Sequence, residues 1–313
     1  MKQEIIVGDT KVQVGLDRMV IGFPYPKKLE NNLAAPPTKL QLAKFEEDKK
    51  EFLSKMLYTQ SIIKENFDYY VAKTNNKFLK RFNVLSGGSL LCTFTFGYCH
   101  GNGVMNFEFN PSKLGEQKLA ELFGWIDVFF YNGYQELYTK GVVSHAEFFV
   151  DVPDEDLSGL VLIDEGRRAY TLYEGTTYLG RRKSELSVAM YDKAKELEQT
   201  TDGKLVRVEA RLCDRDIRFQ DLVENDLFNP FGNSMVVNVT KLKFIAQEFN
   251  KSQFVNHIKE LGLSGSGINV HTRKKMLAKL KENTVDWWQP ETFWAAHREM
   301  LMKFRPNHVG GIA

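Results

Sequence analysis

Three short stretches of alternating sequence set ionisable side chains in rows. If 143–152 (VSHAEFFVDV) is a strand, His145, Glu147, Phe149 and Asp151 share one face while Ala146, Phe148, Val150 and Val152 share the other, which is the core face. In 205–212 (LVRVEARL), Arg207, Glu209 and Arg211 stand together, opposite Val206, Val208, Ala210 and Leu212. Read as a strand, 185–192 (ELSVAMYD) turns Leu186, Val188 and Met190 inward and leaves Ser187, Ala189 and Tyr191 on the polar face, although Leu186, Met190 and Leu197 also suit a helix. On adjacent strands Glu147 and Glu209 stand roughly 5 Å apart, whereas Asp151 is ~13 Å along the strand from Glu147 and does not share an ion with it. Oxygen ligands of this kind favour Mg²⁺ or Mn²⁺ over zinc. The competing reading is a solvated row of ion pairs, which contributes little to stability.

The elements that must carry these rows follow from the patterning. Residues 12–23 (VQVGLDRMVIGF) read as a strand, and four prolines between 24 and 37 punctuate a loop. Helical spacing runs over 38–72, with Leu40, Leu42, Phe45, Phe52, Met56 and Ile63 among charged residues. From 82 to 109 the period becomes two, LLCTFTFGY and VMNFEFNP flanking HGNG as a hairpin, and 113–138 returns to helix. The second half repeats the order, with strands at 143–152, 160–164, 169–179, 185–192 and 204–213. An internal duplication is expected on this pattern, with Asp17 placed like Glu147 and Glu108 like Glu209. After Pro230 the chain reads as helices, with apolar faces at Leu242, Ile245 and Phe249, at Phe254, Ile258 and Leu261, and at Met276 and Leu280; SGSG at 264–267 reads as a flexible joint. The expected class is α+β: an antiparallel-sheet catalytic region over 1–235 and a helical C-terminal segment over 236–313.

The 313 residues, 43% of them hydrophobic, suffice for a sizeable core, and 42 Lys+Arg against 40 Asp+Glu exclude a uniformly basic nucleic-acid coat. A DNA-binding surface must then arise by local clustering, and 271–281 (HTRKKMLAKLK) is such a cluster, with Arg273, Lys274 and Lys275 at its start; a solvated helix face is the alternative. Cys92, Cys99 and Cys213 build neither a disulfide framework nor a four-cysteine zinc site. With no signal-peptide order and no run of about 18 apolar residues, the expectation is a cytoplasmic protein with no membrane partner.

The stretch TTYLGRRKSELSVAMYDKAKEL (176–197), followed by KLVRVEARL (204–212), resembles the signature of the Rep_trans family, the rolling-circle replication initiators of small plasmids and some phages. The matching positions are Tyr178, Gly180, Arg182, Ser184, Tyr191, Lys193, Arg207 and Glu209, and FEFNPSKL (107–114) is similar to a weaker Asn-Pro motif, so the resemblance spans about residues 12–215. The family strand usually reads Arg-x-Asp where this chain has His145-Ala146-Glu147, and Arg181 stands where Ser is common. Glu for Asp keeps an oxygen ligand; His145 is left as a metal ligand, a phosphate contact or neither.

The resemblance implies an endonuclease that nicks origin DNA by transesterification, with Tyr191 as nucleophile, a 5′-phosphotyrosine link and a 3′-hydroxyl that primes synthesis. A phenol with a pKa of about 10 needs help, for which Lys193 or a divalent ion on Glu147 and Glu209 is available. Arg182, Arg207 and Ser184 are the implied phosphate contacts. The implied partners are origin DNA, as duplex or extruded hairpin, and a host helicase, since no GxxxxGK[ST] loop is present. With Ser187 and Lys195 four residues either side of Tyr191, no second tyrosine sits one helical turn away, so a partner subunit or an activated water must complete the cycle, and a homodimer is the expected answer. The rival from another class is a non-enzymatic DNA-binding initiator that recruits replication proteins.

Overall fold

The structure, a computed structural model, describes residues 1–23, 38–74, 79–99, 102–166, 169–181, 184–197 and 204–306; the expected proline-rich loop at 24–37 and the phosphate contact expected at Arg182 lie outside them. The first half forms β1 (Lys2–Val7), β2 (Thr10–Gly22), α1 (Lys39–Asn66), β3 (Asp68–Ala72), β4 (Leu79–Ser86), β5 (Ser89–Cys99), β6 (Asn102–Phe109), α2 (Pro111–Phe129) and α3 (Gly133–Lys140). There follow β7 (Val142–Pro153), β8 (Leu160–Asp164), β9 (Tyr170–Tyr173), β10 (Thr176–Leu179), β11 (Leu186–Asp192), α4 (Lys193–Glu196), β12 (Leu205–Arg218) and α5 (Phe219–Glu224). The chain ends in β13 (Ser234–Asn238), α6 (Val239–Glu248), α7 (Val255–Gly265), α8 (Val270–Lys281) and α9 (Pro290–Met302). The α+β class with antiparallel sheet holds.

Local chemistry explains where these elements begin and end. Thr38 and Gln41 cap α1 reciprocally, Gln41 N donating to Thr38 Oγ1 and Thr38 N to Gln41 Oε1. The helix expected over 38–72 stops at Asn66, because Asp68-Tyr69-Tyr70-Val71 is strand-forming sequence and pairs with β4. Asn110 caps α2 through a 3.0 Å bond from Lys113 N, and Pro111 occupies the first turn, where its missing N–H costs nothing. The single helix expected over 113–138 is two, with a further interruption at Gly115, whose φ of 70 lies outside the helical region. Among the described residues no helix is long and apolar enough to cross a membrane.

One sheet of eleven strands, paired antiparallel throughout, has the order β3-β4-β5-β6-β2-β7-β12-β11-β10-β9, with β1 added to β2. This order is the same read outward from either side of the central β2·β7 pair. β6 flanks β2 as β12 flanks β7, β5 flanks β6 as β11 flanks β12, and so on to the edges, so the two halves share one strand plan. The registers match as well: Val20 faces Glu108 and Ile21 faces Phe107 in one half, as Phe149 faces Glu209 and Val150 faces Val208 in the other. With the Arg18–Glu147 pair at the centre of the repeat, Glu108 stands as the counterpart of Glu209. The counterpart of Glu147, however, is Arg18 rather than Asp17. A bulge between Leu16 and Arg18 shifts β2 by one residue, and Arg18 and Glu147 face each other across the centre.

One face of the sheet is aromatic. Phe94, Phe96, Phe107, Phe129 and Phe130 are fully buried, and Phe304 joins them through Phe109 and Phe123. Helix α9 packs on the central pair. Its Trp294 and His297 rings meet Phe148 edge-on, and His297 Nε2 lies 3.1 Å from Gly15 O and 3.2 Å from Phe149 O. The expected division at 235/236 falls inside β13, which pairs with β8. Two expectations for the last segment change. Leu261 is 51% exposed while Ile258 is buried, and Ser266 of the expected flexible joint is buried, donating to Leu263 O at 2.9 Å.

Candidate functional site

The opposite face of the same strands carries the polar rows. All three stretches are strands, so the pleat sends Tyr191 from β11, Glu209 and Arg211 from β12, and Glu147 and His145 from β7 to one side. Tyr191 faces Arg207 in register, which leaves Glu209 its diagonal neighbour, and the phenol donates to Glu209 Oε2 at 3.0 Å. Glu147 faces Arg211, and Glu209 faces Phe149. The two carboxylates are therefore diagonal, a separation of about 7–8 Å, rather than directly opposed. Arg211 stands between them: its Nε donates to Glu209 Oε1 and lies 3.9 Å from Glu147 Oε1. His145 completes the row, with Nε2 at 2.7 Å from Glu147 Oε1 and Nδ1 at 3.2 Å from Cys213 Sγ.

Burial sets the protonation of this cluster. It raises the Glu209 carboxyl, as does the charge of Glu147, and Arg211 only partly opposes them. Glu147 moves the other way: burial pushes it up, but the hydrogen bond from His145 and the charges of His145, Arg211 and Arg18 hold it below the usual carboxylate value. The Tyr191 phenol is driven well above its ordinary value, first by burial and then by Glu209, with Arg207 opposing. Lys193 Nζ lies 5.8 Å from the centre of the Tyr191 ring and bonds Glu196 at 2.8 Å.

The remaining expected residues have other surroundings. Arg207 is 4% exposed and forks onto Asp151, Nε to Oδ1 at 2.5 Å and Nη2 to Oδ2 at 2.6 Å, while Nη1 reaches Asp17 at 3.1 Å. Its plane lies over the Phe149 ring, 3.9 Å from the centre. Ser184 Oγ lies 2.7 Å from Arg181 O and 2.8 Å from Leu186 O, closing the β10–β11 turn. Arg273 Nη1 reaches Ser264 O at 3.5 Å, and Lys274 and Lys275 are exposed on α8, which packs on α6.

Two clefts meet at Tyr191. One, of about 940 Å³, extends beneath the β9–β10 hairpin past Tyr178 towards α7. The other, of about 430 Å³, crosses the centre of the sheet from Tyr191, Lys193 and Glu209 to Arg18, Glu108 and Arg81 in the first half. Arg211 lines both. Alternation in 205–212 sets Arg211 on the polar face but marks no role for it, and Arg18 carries no signal in the sequence, because strict alternation does not anticipate the bulge that turns it to this side.

The fold and the site together define an α+β protein with a tyrosine and two carboxylates on the polar face of a twofold-repeated antiparallel sheet. No protein-family model matches the chain, and no curated protein matches it. A solved structure, that of a rolling circle replication initiator protein from Geobacillus stearothermophilus, is similar over 89% of this chain and 100% of its own, at 13% identity and a TM-score of 0.39.

Proposed function

We propose that this protein initiates rolling-circle replication by nicking one strand of an origin DNA through Tyr191. The observation that carries the reading is the 3.0 Å bond from the Tyr191 hydroxyl to Glu209 Oε2, at the meeting of two clefts and beside Lys193 and Arg211. Tyr191 Oη attacks the scissile phosphorus, its proton passes to Glu209, and the bond from phosphorus to the 3′ oxygen breaks. The 3′ oxygen leaves and is protonated from water, and the 5′ end stays esterified to the tyrosine. Because burial disfavours phenoxide, cations must stabilise it as charge develops, and Lys193 and Arg211 are placed for this.

Glu147, Glu209 and His145 are chemically suited to Mg²⁺ or Mn²⁺, which when bound supplies positive charge for the phenoxide and the phosphorane. Among the described residues no three such groups already stand at ligand spacing, so taking up an ion requires Arg211 to leave Glu209. Arg273, Lys274 and Lys275 on α8 are proposed contacts to flanking origin duplex, and a host helicase is the proposed source of strand separation.

The test is incubation with supercoiled plasmid bearing the cognate origin, followed by denaturing electrophoresis. Wild type should yield a nicked strand with protein attached at its 5′ end, dependent on Mg²⁺ or Mn²⁺ and abolished by EDTA. Tyr191→Phe should bind the origin and form no adduct. Normal nicking by Tyr191→Phe would exclude the assignment, and nicking unaffected by EDTA would assign charge stabilisation to Lys193 and Arg211 alone. Origin binding by wild type without any nicking would favour the non-enzymatic initiator.

A further inference from the structure

The repeated strand plan makes the two halves of the polar face comparable position by position. Two residues beyond the Ala189 that faces Glu209 stands Tyr191; two beyond the Thr93 that faces Glu108 stands Thr95. The first half thus has the frame of the site without the nucleophile, and where the second half has Glu147 it has the cation Arg18. Its balance accordingly leans towards cations. Arg18 Nε and Arg81 Nη2 both bond Glu108, at 2.9 and 3.4 Å, two guanidinium groups on one carboxylate. Arg81 Nε is buried and has no hydrogen-bond partner among the described residues. The other acid of this end, Asp17, is occupied by Ser112 at 2.5 Å and by Arg207. Lys113 adds a further cation to the cleft wall.

We infer that the first half of the polar face is a phosphate subsite, at which Arg18, Arg81 and Lys113 hold the single strand whose scissile phosphate lies at Tyr191. The inference rests on the nicking reading for the identity of the strand. The cleft is continuous from one end to the other. Six strand spacings separate β4 from β11, about 29 Å, which a short single strand running across the sheet spans. Its phosphates meet guanidinium groups in turn at Arg81, Arg18 and Arg211, each able to give two parallel hydrogen bonds once its carboxylate partner yields. The frame without the tyrosine in this way holds the strand that, on the nicking reading, the other half cuts.

The experiment measures fluorescence anisotropy of a labelled ten-nucleotide oligo(dT) with the full-length protein across a salt series. Arg81→Gln should weaken binding about three- to tenfold and flatten the salt slope by about 0.7, the single-strand value for one lost phosphate contact. Glu108→Gln should tighten binding, since it removes the carboxylate that competes with phosphate, and a misfolded variant does not mimic that gain. A G·C-rich hairpin duplex of ten base pairs, which cannot anneal to the probe, should at equal concentration displace little of it. The inference is overturned if wild type fails to bind the probe, if Arg81→Gln leaves affinity unchanged, if both variants shift it the same way, or if the duplex competes as well as unlabelled oligo(dT). No cleavage enters this measurement. A normal Tyr191 adduct with unaltered Arg81→Gln binding defeats the subsite alone, and the predicted binding pattern without any adduct defeats the nicking reading alone.

Discussion

Arg207 shows how one side chain can match a functional motif and be held by structure. An exposed guanidinium above Tyr191 would serve as a phosphate clamp, but here both prongs of the fork lie on Asp151 and the cation is buried over Phe149. Removing the partner of a buried ion pair leaves a desolvated charge, at a cost of about 3–5 kcal/mol. Asp151→Ala is therefore expected to lose stability in that range by urea denaturation, while Lys193→Ala, which removes a bond to the exposed Glu196 and a contact with the Tyr191 ring, should lose less, about 1 kcal/mol. The same logic bears on Tyr191: Tyr191→Phe removes the bond from the phenol to the buried Glu209 and should cost about 1–3 kcal/mol of folding stability, while adduct formation is lost altogether.

The β10–β11 turn and helix α9 each position the site from outside it. Gly180 has a φ of +89, and a Cβ there would lie 2.8 Å from Leu186 O and 3.0 Å from Ser184 Oγ. Gly180→Ala should destabilise the fold by about 1–3 kcal/mol and shift the start of β11, to be read by denaturation together with the near-ultraviolet signal of the tyrosines. Gly180 and Ser184 thus build the turn that starts the strand of Tyr191. In α9, burial lowers His297 from 6.5 to about 4, despite three carbonyl oxygens around it. Between those pH values the unfolded chain binds a proton that the folded chain does not, so stability falls as pH drops through the window, by up to roughly 3 kcal/mol. Above pH 6.5 neither state is protonated and the contribution is constant. Unfolding free energies of wild type and His297→Gln should therefore converge from pH 6.5 to pH 4, and a constant difference would refute the assignment.

For the assembled protein, the stoichiometry of nucleophiles matters. On the proposed function, initiation and termination require two strand transfers, each covalent link would occupy a tyrosine, and the repeat places Thr95 where a second one would stand. We therefore propose that a homodimer supplies the second Tyr191, in keeping with the prevalence of twofold assemblies. Mixed dimers of wild-type and Tyr191→Phe chains should start replication and accumulate unresolved product. Normal yields of closed circles from such dimers would instead assign the second transfer to water.

The polar rows of β7, β11 and β12 and their core faces were legible from alternation alone, because a buried sheet face demands apolar residues at every second position. Tyr191 and Glu209 followed from that period together with a multi-part motif. The equivalence of Glu108 and Glu209 was legible too, since both halves repeat one order of elements. Four matters were settled only by folding. The bulge at Asp17 made Arg18, and not Asp17, the β2 counterpart of Glu147, as one extra residue shifts a whole register. The diagonal pairing of β7 with β12 brought Arg211 between carboxylates expected to face each other. The end of α1 depended on β4 offering a pairing edge to Asp68–Ala72. The seat of α9 on the central strands joined His297 to Gly15 O across 282 positions of chain. Period and motif are local properties of a sequence, whereas register and long-range contact depend on which distant strand or helix arrives alongside, and only the packed chain selects among those arrangements.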